Sequence, residues 1–467
     1  MKLLPGEKEW AQAGKRPIPY GLPGEEGEVV REGREARLVT LETLHPLRVA
    51  PLCAHFGLCG GCSGQHAALV WQRAWKEARV RRALAKEGLD PHGVRPLRAG
   101  SSPWEYRSKM EFTFSAEGEP GLHERGDFAR VVPLGACPIA HPSLVKAMEV
   151  TGAWARDWKL PGYDKKRHQG LLRHLRVRWS ATEEKVLAAL SATEKKGFPR
   201  GSLDDWVARL RRDVPLAGAL LLLQKGKGDA LQEEASELLF GRSYLVEEVE
   251  GIRFRLEHGT FFQVNREAVA LLWERVKAYL SPRPGMRVLD LYAGTGTFTL
   301  LLAREGVEAW GVEIYEPSVV RARENAEENG LSARFLAGDV RQLLTHEKAI
   351  REVSWDAVLL DPPRGGAGRR VMEKVAALEP PTVVYVSCQP ETFAQDGAVL
   401  QREGYRLLDL EPLDLFPHTP HVELVSLWQK AERVHPPRGS YGDFTQPLQG
   451  VGWHGEAKGL LKPNPKG

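Results

Sequence analysis

The chain has 467 residues, 42% hydrophobic and 27% charged, a composition that builds proper cores and suits an ordinary globular protein of roughly three domains. The formal net charge is only +4, so any nucleic-acid surface is a local patch rather than a property of the whole chain. No apolar stretch approaches the ~20 residues that span a bilayer, and Met1-Lys2-Leu3-Leu4-Pro5-Gly6 breaks at once into Pro, Gly and charge, so membrane, secreted and fibrous classes are set aside and a cytoplasmic protein without a signal peptide is expected.

Residues 1–50 are rich in Gly and Pro, and Glu28-Val29-Val30 and Ala36-Arg37-Leu38-Val39-Thr40 alternate, which predicts a few short strands in a small β-rich region. Residues 51–95 hold a cysteine cluster and then a helix over 67–86. That helix carries Arg73, Lys76, Arg79, Arg81 and Arg82, charges that read as a solvated face. Residues 96–258 read as a mixed α+β domain. Its strands include 106–114 and 171–179, where Arg173, His174, Arg176 and Arg178 alternate with apolar residues just after Lys165-Lys166-Arg167. That alternation predicts cations on the solvent face of a sheet, a surface able to meet phosphates or simply an ordinary charged face.

Residues 259–430 change to strands alternating with helices. Strands are expected at 287–292, 309–314, 333–336, 357–361, 382–387 and 424–428, with helices at 317–329 and 391–403, which makes a doubly wound α/β sheet. The tail, 431–467, is rich in Gly and Pro, lacks periodicity and reads as irregular.

Ala293-Gly294-Thr295-Gly296-Thr297 is a glycine-rich turn at the carboxyl end of the first of these strands, where doubly wound sheets bind nucleotides. The third glycine of the dinucleotide pattern is missing, Thr299 standing in its place, which argues against NAD and its pyrophosphate. Glu313 ends the second strand about 20 residues after the first glycine, placed to accept from ribose hydroxyls. Asp339 ends the third and is placed to face an adenine amine. A nucleoside-bearing ligand without a pyrophosphate suits S-adenosylmethionine. The fourth strand ends in Asp361-Pro362-Pro363-Arg364. Methyltransferases acting on exocyclic amines carry an aromatic residue after the two prolines, so Arg364 points to another acceptor atom.

Five cysteines stand at 53, 59, 62, 137 and 388, a usage that points to metal ligation or catalysis rather than disulfides. Cys388 ends a strand, before Gln389-Pro390, on the same sheet edge as the glycine turn. That position suits a nucleophile more than a buried structural thiol. Carbon 5 of uracil is too weak a nucleophile to take a methyl group from a sulfonium. A thiolate adding to carbon 6 turns the ring into an enolate and activates carbon 5, after which a base must remove the carbon-5 proton so the thiol can leave. Glu423, flanked by His418 and His421 in a Pro-ordered loop, is the candidate base. Cys53-x5-Cys59-x2-Cys62 with the distant Cys137 supplies four thiolates. They suit tetrahedral zinc or an iron–sulfur cubane, and the clustered spacing with Pro138 after Cys137 leans toward [4Fe–4S].

These motifs resemble the RNA uracil-5-methyltransferase family, which makes 5-methyluridine in ribosomal and transfer RNA. The resemblance runs from about residue 50 to 430. It rests on Phe261-Phe262-Gln263-Val264-Asn265, Asp290-Leu291-Tyr292-Ala293-Gly294-Thr295-Gly296, Asp361-Pro362-Pro363-Arg364, Cys388 and Glu423. It implies a Rossmann-like class I S-adenosylmethionine methyltransferase domain on the C-terminal side, preceded by the central α+β domain and the small N-terminal β-rich region. Gln263, Tyr292, Gly294, Gly296, Glu313, Asp339 and Asp361 would contact S-adenosylmethionine, with Cys388 as nucleophile and Glu423 as base. Many members carry Cys at the residue before the first glycine, here Ala293, and members usually carry Asn where this chain has Gln389, a change expected to alter a local hydrogen bond.

A subset of the family holds a [4Fe–4S] cluster on a Cys-Gly-Gly-Cys arrangement like Cys59–Cys62, which implies Cys53, Cys59, Cys62 and Cys137 as its ligands. Members often begin with a TRAM domain, for which residues 1–50 are too short in full. The resemblance implies RNA as partner, 23S ribosomal RNA in the first place, with no membrane or protein partner. It requires a flipped or unpaired uridine, contacted by Trp104, Tyr106 and Arg107. A transfer-RNA uridine, 5-methylcytidine formation, or an inactive RNA-binding iron–sulfur scaffold are the alternatives. The second Cys that common 5-methylcytidine enzymes place after the prolines is Arg364 here, and the intact Cys388, Glu423, Gln263 and Asp361 argue against inactivity.

Overall fold

A computed structural model describes residues 2–6, 10–13, 16–32, 35–226, 234–265 and 267–431; the C-terminal tail expected beyond them lies outside the described residues. The Rossmann-like sheet has eight strands in the order Arg334–Ala337, Glu308–Glu313, Arg287–Leu291, Ala357–Leu360, Thr382–Ser387, Glu423–Lys430, Tyr405–Asp414 and Arg98–Ala99. Val288, Leu289, Val358, Leu359, Val383 and Val384 are fully buried, as expected of near-continuous apolar strands covered on both faces. One strand, Glu423–Lys430, runs antiparallel to its two neighbours, while every other pairing in this sheet is parallel.

The helix Leu69–Lys86 contributes Val80, Ala83 and Leu84 to the core on one side of this sheet. On the other side, Ile252, Phe254 and Leu256 of the strand Ile252–Glu257 pack with the helix Ala268–Leu280. The solvated face expected for the first helix is corrected here. Lys76 and Arg79 are buried, Lys76 against Asp414 at 2.6 Å and Arg79 in a two-pronged pair with Glu391.

The second large sheet has seven strands, ordered Ala235–Gly241, Leu216–Leu223, Lys185–Ala192, Leu172–Ser180, Lys109–Phe114, Pro120–Glu124 and Asp127–Pro133. Helices Pro142–Asp157 and Ser202–Asp213 cover one face, where Phe112, Phe114, Leu175 and Val177 meet Trp154 and Trp206. The opposite face is not the open row of cations expected from the sequence. Arg173, His174 and Arg178 are all buried. Arg173 donates to Gln224 O at 3.2 Å and stacks 4.3 Å over Tyr163, Arg178 donates to Thr260 O, and Arg176 pairs with Glu111 at 2.6 Å. Main-chain carbonyls of remote segments take Arg173 and Arg178, and a carboxylate of the neighbouring strand takes Arg176, which a strand pattern does not reveal. Among the described residues of the first 50 lie two small sheets, Leu4–Pro5 with Ala11–Ala13 and Arg16–Ile18, and Val29–Glu32 with Glu35–Leu38. Among the described residues no helix is long and apolar enough to cross a membrane.

Candidate active site

The cofactor turn is built by backbone that ordinary side chains avoid. Tyr292 and the two glycines 294 and 296 all take positive φ, +67°, +56° and +83°. A Cβ on Gly296 would come 2.9 Å from the Phe335 ring, so this position is closed to larger residues. A Cβ on Gly294 would meet nothing within 4 Å: the turn faces open space there, as a turn that receives a ligand must. Glu313 holds this geometry, its Oε2 accepting from Gly294 N–H at 3.0 Å and its Oε1 from Tyr315 N–H at 2.8 Å. Below the turn Asp290 is fully buried and accepts from Thr299 Oγ1 at 2.5 Å; burial first, then Asp361 and Glu313, pushes its carboxyl up to about 7. Asp339 caps the helix Val340–His346, accepting from Gln342 N–H at 3.0 Å. Gln263 is half-buried in a segment pinned by Val264 O, which accepts from Ser108 N–H at 2.6 Å, and by Asn265, which donates to Leu415 O at 2.7 Å.

The antiparallel strand explains how the proposed nucleophile and base meet. Ser387 ends one strand and pairs with Leu424 near the start of its neighbour. Cys388 is the next residue beyond the first, and Glu423 the first residue of the second, so two residues remote in sequence flank one rung. Asp361 follows the adjacent strand Ala357–Leu360. Burial pushes all three up: Glu423 to about 7, Asp361 to about 8 with Glu423 adding, and the Cys388 thiol to about 11 with Glu423 and Asp361 adding. Arg364 opposes this for both Cys388 and Glu423. Its loop is fixed by Asp396, which accepts from Ala367 N–H at 2.8 Å, Gly368 N–H at 3.0 Å and Tyr385 OH at 2.6 Å. The sequence marked Arg364 only by what it replaces, an aromatic residue or a second Cys; in the structure its charge favours ionisation of both Cys388 and Glu423.

His418 and His421 are held neutral, each lowered to about 4 by burial foremost. Gln389 donates to Glu391 at 2.6 Å, which is what the departure from Asn does here. Of the three residues expected to contact RNA, Tyr106 is corrected. It is buried and its OH donates to Pro417 O at 3.0 Å, so its ring is not free to stack on a base. Trp104 stacks on His418 with centroids 4.0 Å apart, and Arg107 lines the cysteine cavity.

That cavity, about 40 Å³, brings together Cys53, Cys59, Cys62 and Cys137. Burial pushes the Cys62 thiol up to about 12 and the other three cysteines add to the shift. Among the described residues no three His, Cys, Asp or Glu side chains close on one metal ion. The four thiols line this one cavity together with Arg107 and Met110.

A family model described as tRNA (uracil-5-)-methyltransferase matches residues 233–431. An RNA methyltransferase of Caldanaerobacter subterraneus subsp. tengcongensis, itself uncharacterized, is 34% identical over 409 residues, spanning 86% of this chain and 90% of the relative. A similar protein of Chlorobaculum tepidum is 31% identical over 421 residues, spanning 85% and 86%. Among solved structures, the Pyrococcus abyssi tRNA (uracil-54, C5)-methyltransferase in complex with S-adenosyl-L-homocysteine superposes with a TM-score of 0.73 at 25% identity, covering 92% of this chain and 99% of that one. This chain belongs to the RNA uracil-5-methyltransferase family, whose members are S-adenosylmethionine-dependent RNA methyltransferases.

Proposed function

We propose that the protein methylates carbon 5 of one specific uridine in 23S ribosomal RNA, in the cytoplasm, through a covalent bond between Cys388 and carbon 6 of the base. The observation that carries this reading is the rung Ser387–Leu424, which sets a thiol and a carboxylate side by side at the sheet edge that also bears the glycine turn. S-adenosylmethionine, when bound, supplies an electrophilic methyl group; Glu313, Gln263, Tyr292, Gly294, Gly296, Asp339 and Asp361 are the residues that would hold it. The Cys388 thiolate adds to carbon 6, and the ring electrons move to carbon 5 and the carbonyl. Carbon 5 takes the methyl group as the donor's sulfur–methyl bond breaks, the electron pair staying on sulfur and a neutral thioether leaving. Glu423 then removes the carbon-5 proton, the electrons restore the double bond, and the thiolate leaves. Arg364 favours the ionised forms of both groups the sequence requires.

A transfer-RNA uridine is the second reading, favoured by the activity named for the Pyrococcus abyssi relative. Incubation with labelled S-adenosylmethionine and RNA from cells lacking the gene decides between them. Label in 5-methyluridine of 23S RNA supports the first, and label in transfer RNA the second. Label in 5-methylcytidine, or none, overturns both.

Cys53, Cys59, Cys62 and Cys137 are proposed to hold a [4Fe–4S] cluster in the cavity they share. Methyl transfer consumes no electrons, so the group is read as a structural staple that also shapes the RNA surface. Iron and sulfide content of the purified protein tests this; single Cys→Ala changes that leave iron content, melting temperature and RNA affinity unaltered overturn it.

A further inference from the structure

On the helix Leu69–Lys86, Gln72, Lys76 and Arg79 recur at i, i+4 and i+7, a single stripe of an α-helix, and all three are buried. Each grips one main-chain atom of the loop that leads into Glu423. His418 N–H donates to Gln72 Oε1 at 2.9 Å, Lys76 Nζ donates to Phe416 O at 3.0 Å, and Arg79 Nη1 donates to Pro420 O at 2.8 Å. The grips fall on alternate residues of the loop and end just short of Glu423.

The remaining atoms of the same side chains are anchored elsewhere. Gln72 Nε2 donates to Gly64 O at 2.9 Å and Ala67 O at 2.8 Å, in the turn that follows Cys62. Lys76 pairs with Asp414 at 2.6 Å. Arg79 forks onto Glu391 at 2.8 and 2.7 Å, and Glu391 also takes Gln389, the neighbour of Cys388. Apolar side chains would cover this sheet without the desolvation that a buried lysine and arginine incur. Packing alone therefore does not account for the stripe, whereas three directed donors and acceptors on one loop do specify where that loop lies.

We propose that Gln72, Lys76 and Arg79 are positioning residues that fix the loop 416–420 and so hold Glu423 at carbon 5 during proton removal. The proposal rests on the reading of Glu423 as the base. A loosened loop slows that last step more than the addition of Cys388, so the covalent protein–RNA adduct builds up.

The test compares wild type, Glu423→Gln, Gln72→Met, Gln72→Glu and Arg79→Lys on RNA from cells lacking the gene. Turnover, KM for the RNA and the adduct surviving denaturing electrophoresis are measured together. Gln72→Met removes the polar contacts at similar volume, and Arg79→Lys keeps the charge facing Glu391 but loses the planar fork that also reaches Pro420 O. Both are expected to lose about tenfold to a hundredfold in kcat with KM within about twofold, and to accumulate adduct as Glu423→Gln does. Gln72→Glu retains the acceptor for His418 N–H but turns an oxygen onto Gly64 O and Ala67 O, which only accept, so it is expected to lose turnover and accumulate adduct as Gln72→Met does. The proposal is overturned if Gln72→Met and Arg79→Lys turn over like wild type, or if adduct and turnover fall in parallel. Should Gln72→Met not fold, Arg79→Lys decides by the same readouts. If Glu423→Gln itself turns over normally without adduct, it is the reading of the base that fails.

Discussion

Arg364 Nη2 lies 3.3 Å from His421 Nε2, so the loop after Asp361 and the loop before Glu423 meet at one point. A guanidinium only donates, which makes His421 Nε2 the acceptor and the ring neutral, in keeping with its lowering to about 4. The same guanidinium lowers Cys388 and Glu423. Both must lose a proton to work, so kcat/KM is expected to rise with pH through about 7, where Glu423 ionises, and to keep rising toward the thiol at about 11. Arg364→Gln raises both groups and moves the profile to higher pH by about one unit, a loss of about tenfold near neutral pH. An unshifted profile in that variant shows that Arg364 does not act on the thiol.

Cys388→Ser is expected to abolish turnover, by at least about a thousandfold, because a hydroxyl is a far poorer nucleophile near neutral pH. Affinity for S-adenosylmethionine should stay within about twofold, since the glycine turn and Glu313 lie on other strands. Calorimetric binding beside a methylation assay checks both halves. Wild-type turnover in this variant removes the covalent route.

Buried Asp290 predicts a pH-dependent stability. Its folded value, about 7, stands above its ordinary 3.8, so the folded protein holds a proton that the unfolded chain releases. The associated stability is therefore complete below pH ~4 and disappears as pH rises through about 7, a change on the order of 4 kcal/mol. Asp361 and Glu423 act with the same sign. Asp290→Asn mimics the protonated form and can still accept from Thr299, so its melting temperature without ligand should vary less between mildly acid and mildly alkaline pH. Equal pH dependence in variant and wild type contradicts the argument.

Lys76 and Asp414 are both fully buried and 2.6 Å apart. Lys76→Met leaves the buried Asp414 carboxylate with only the more distant Arg73, at 3.7 Å, and should cost about 3–5 kcal/mol, while Lys76→Met with Asp414→Leu should recover much of that. Denaturant unfolding of the two variants measures the difference. A double variant no more stable than the single one shows that the pair is not coupled in this way.

The parallel strands were legible because buried runs such as Val383-Val384-Tyr385-Val386 sit between turn signals, and that strand ends where its pattern ends. Glycines 294 and 296 were legible because only a strained turn asks for them. What escaped is polarity satisfied at long range. Arg79, Arg173 and Arg178 look like surface cations until the carbonyls of Pro420, Gln224 and Thr260 arrive from remote segments. The strand Tyr405–Asp414 escaped too, since Arg406, Asp409 and Glu411 break its apolar run, and two of those charges find partners in Arg95 and Arg275. Tyr106 read as a stacking platform, and nothing local announces that its hydroxyl ends on Pro417 O.

One reversed strand has a consequence for how this enzyme can be rebuilt. The chain leaves one strand at Cys388, runs along the helix Pro390–Arg402, turns at Gly404, comes back through the strand Tyr405–Asp414 of the same sheet, and enters the reversed strand at Glu423. The length of that excursion and the spacing of the two reacting groups are therefore independent quantities. Extra residues spliced in at the Gly404 bend, or new termini opened there, should leave chemistry at the opposite edge untouched, whereas a one-residue slip between Ser387 and Leu424 would uncouple it.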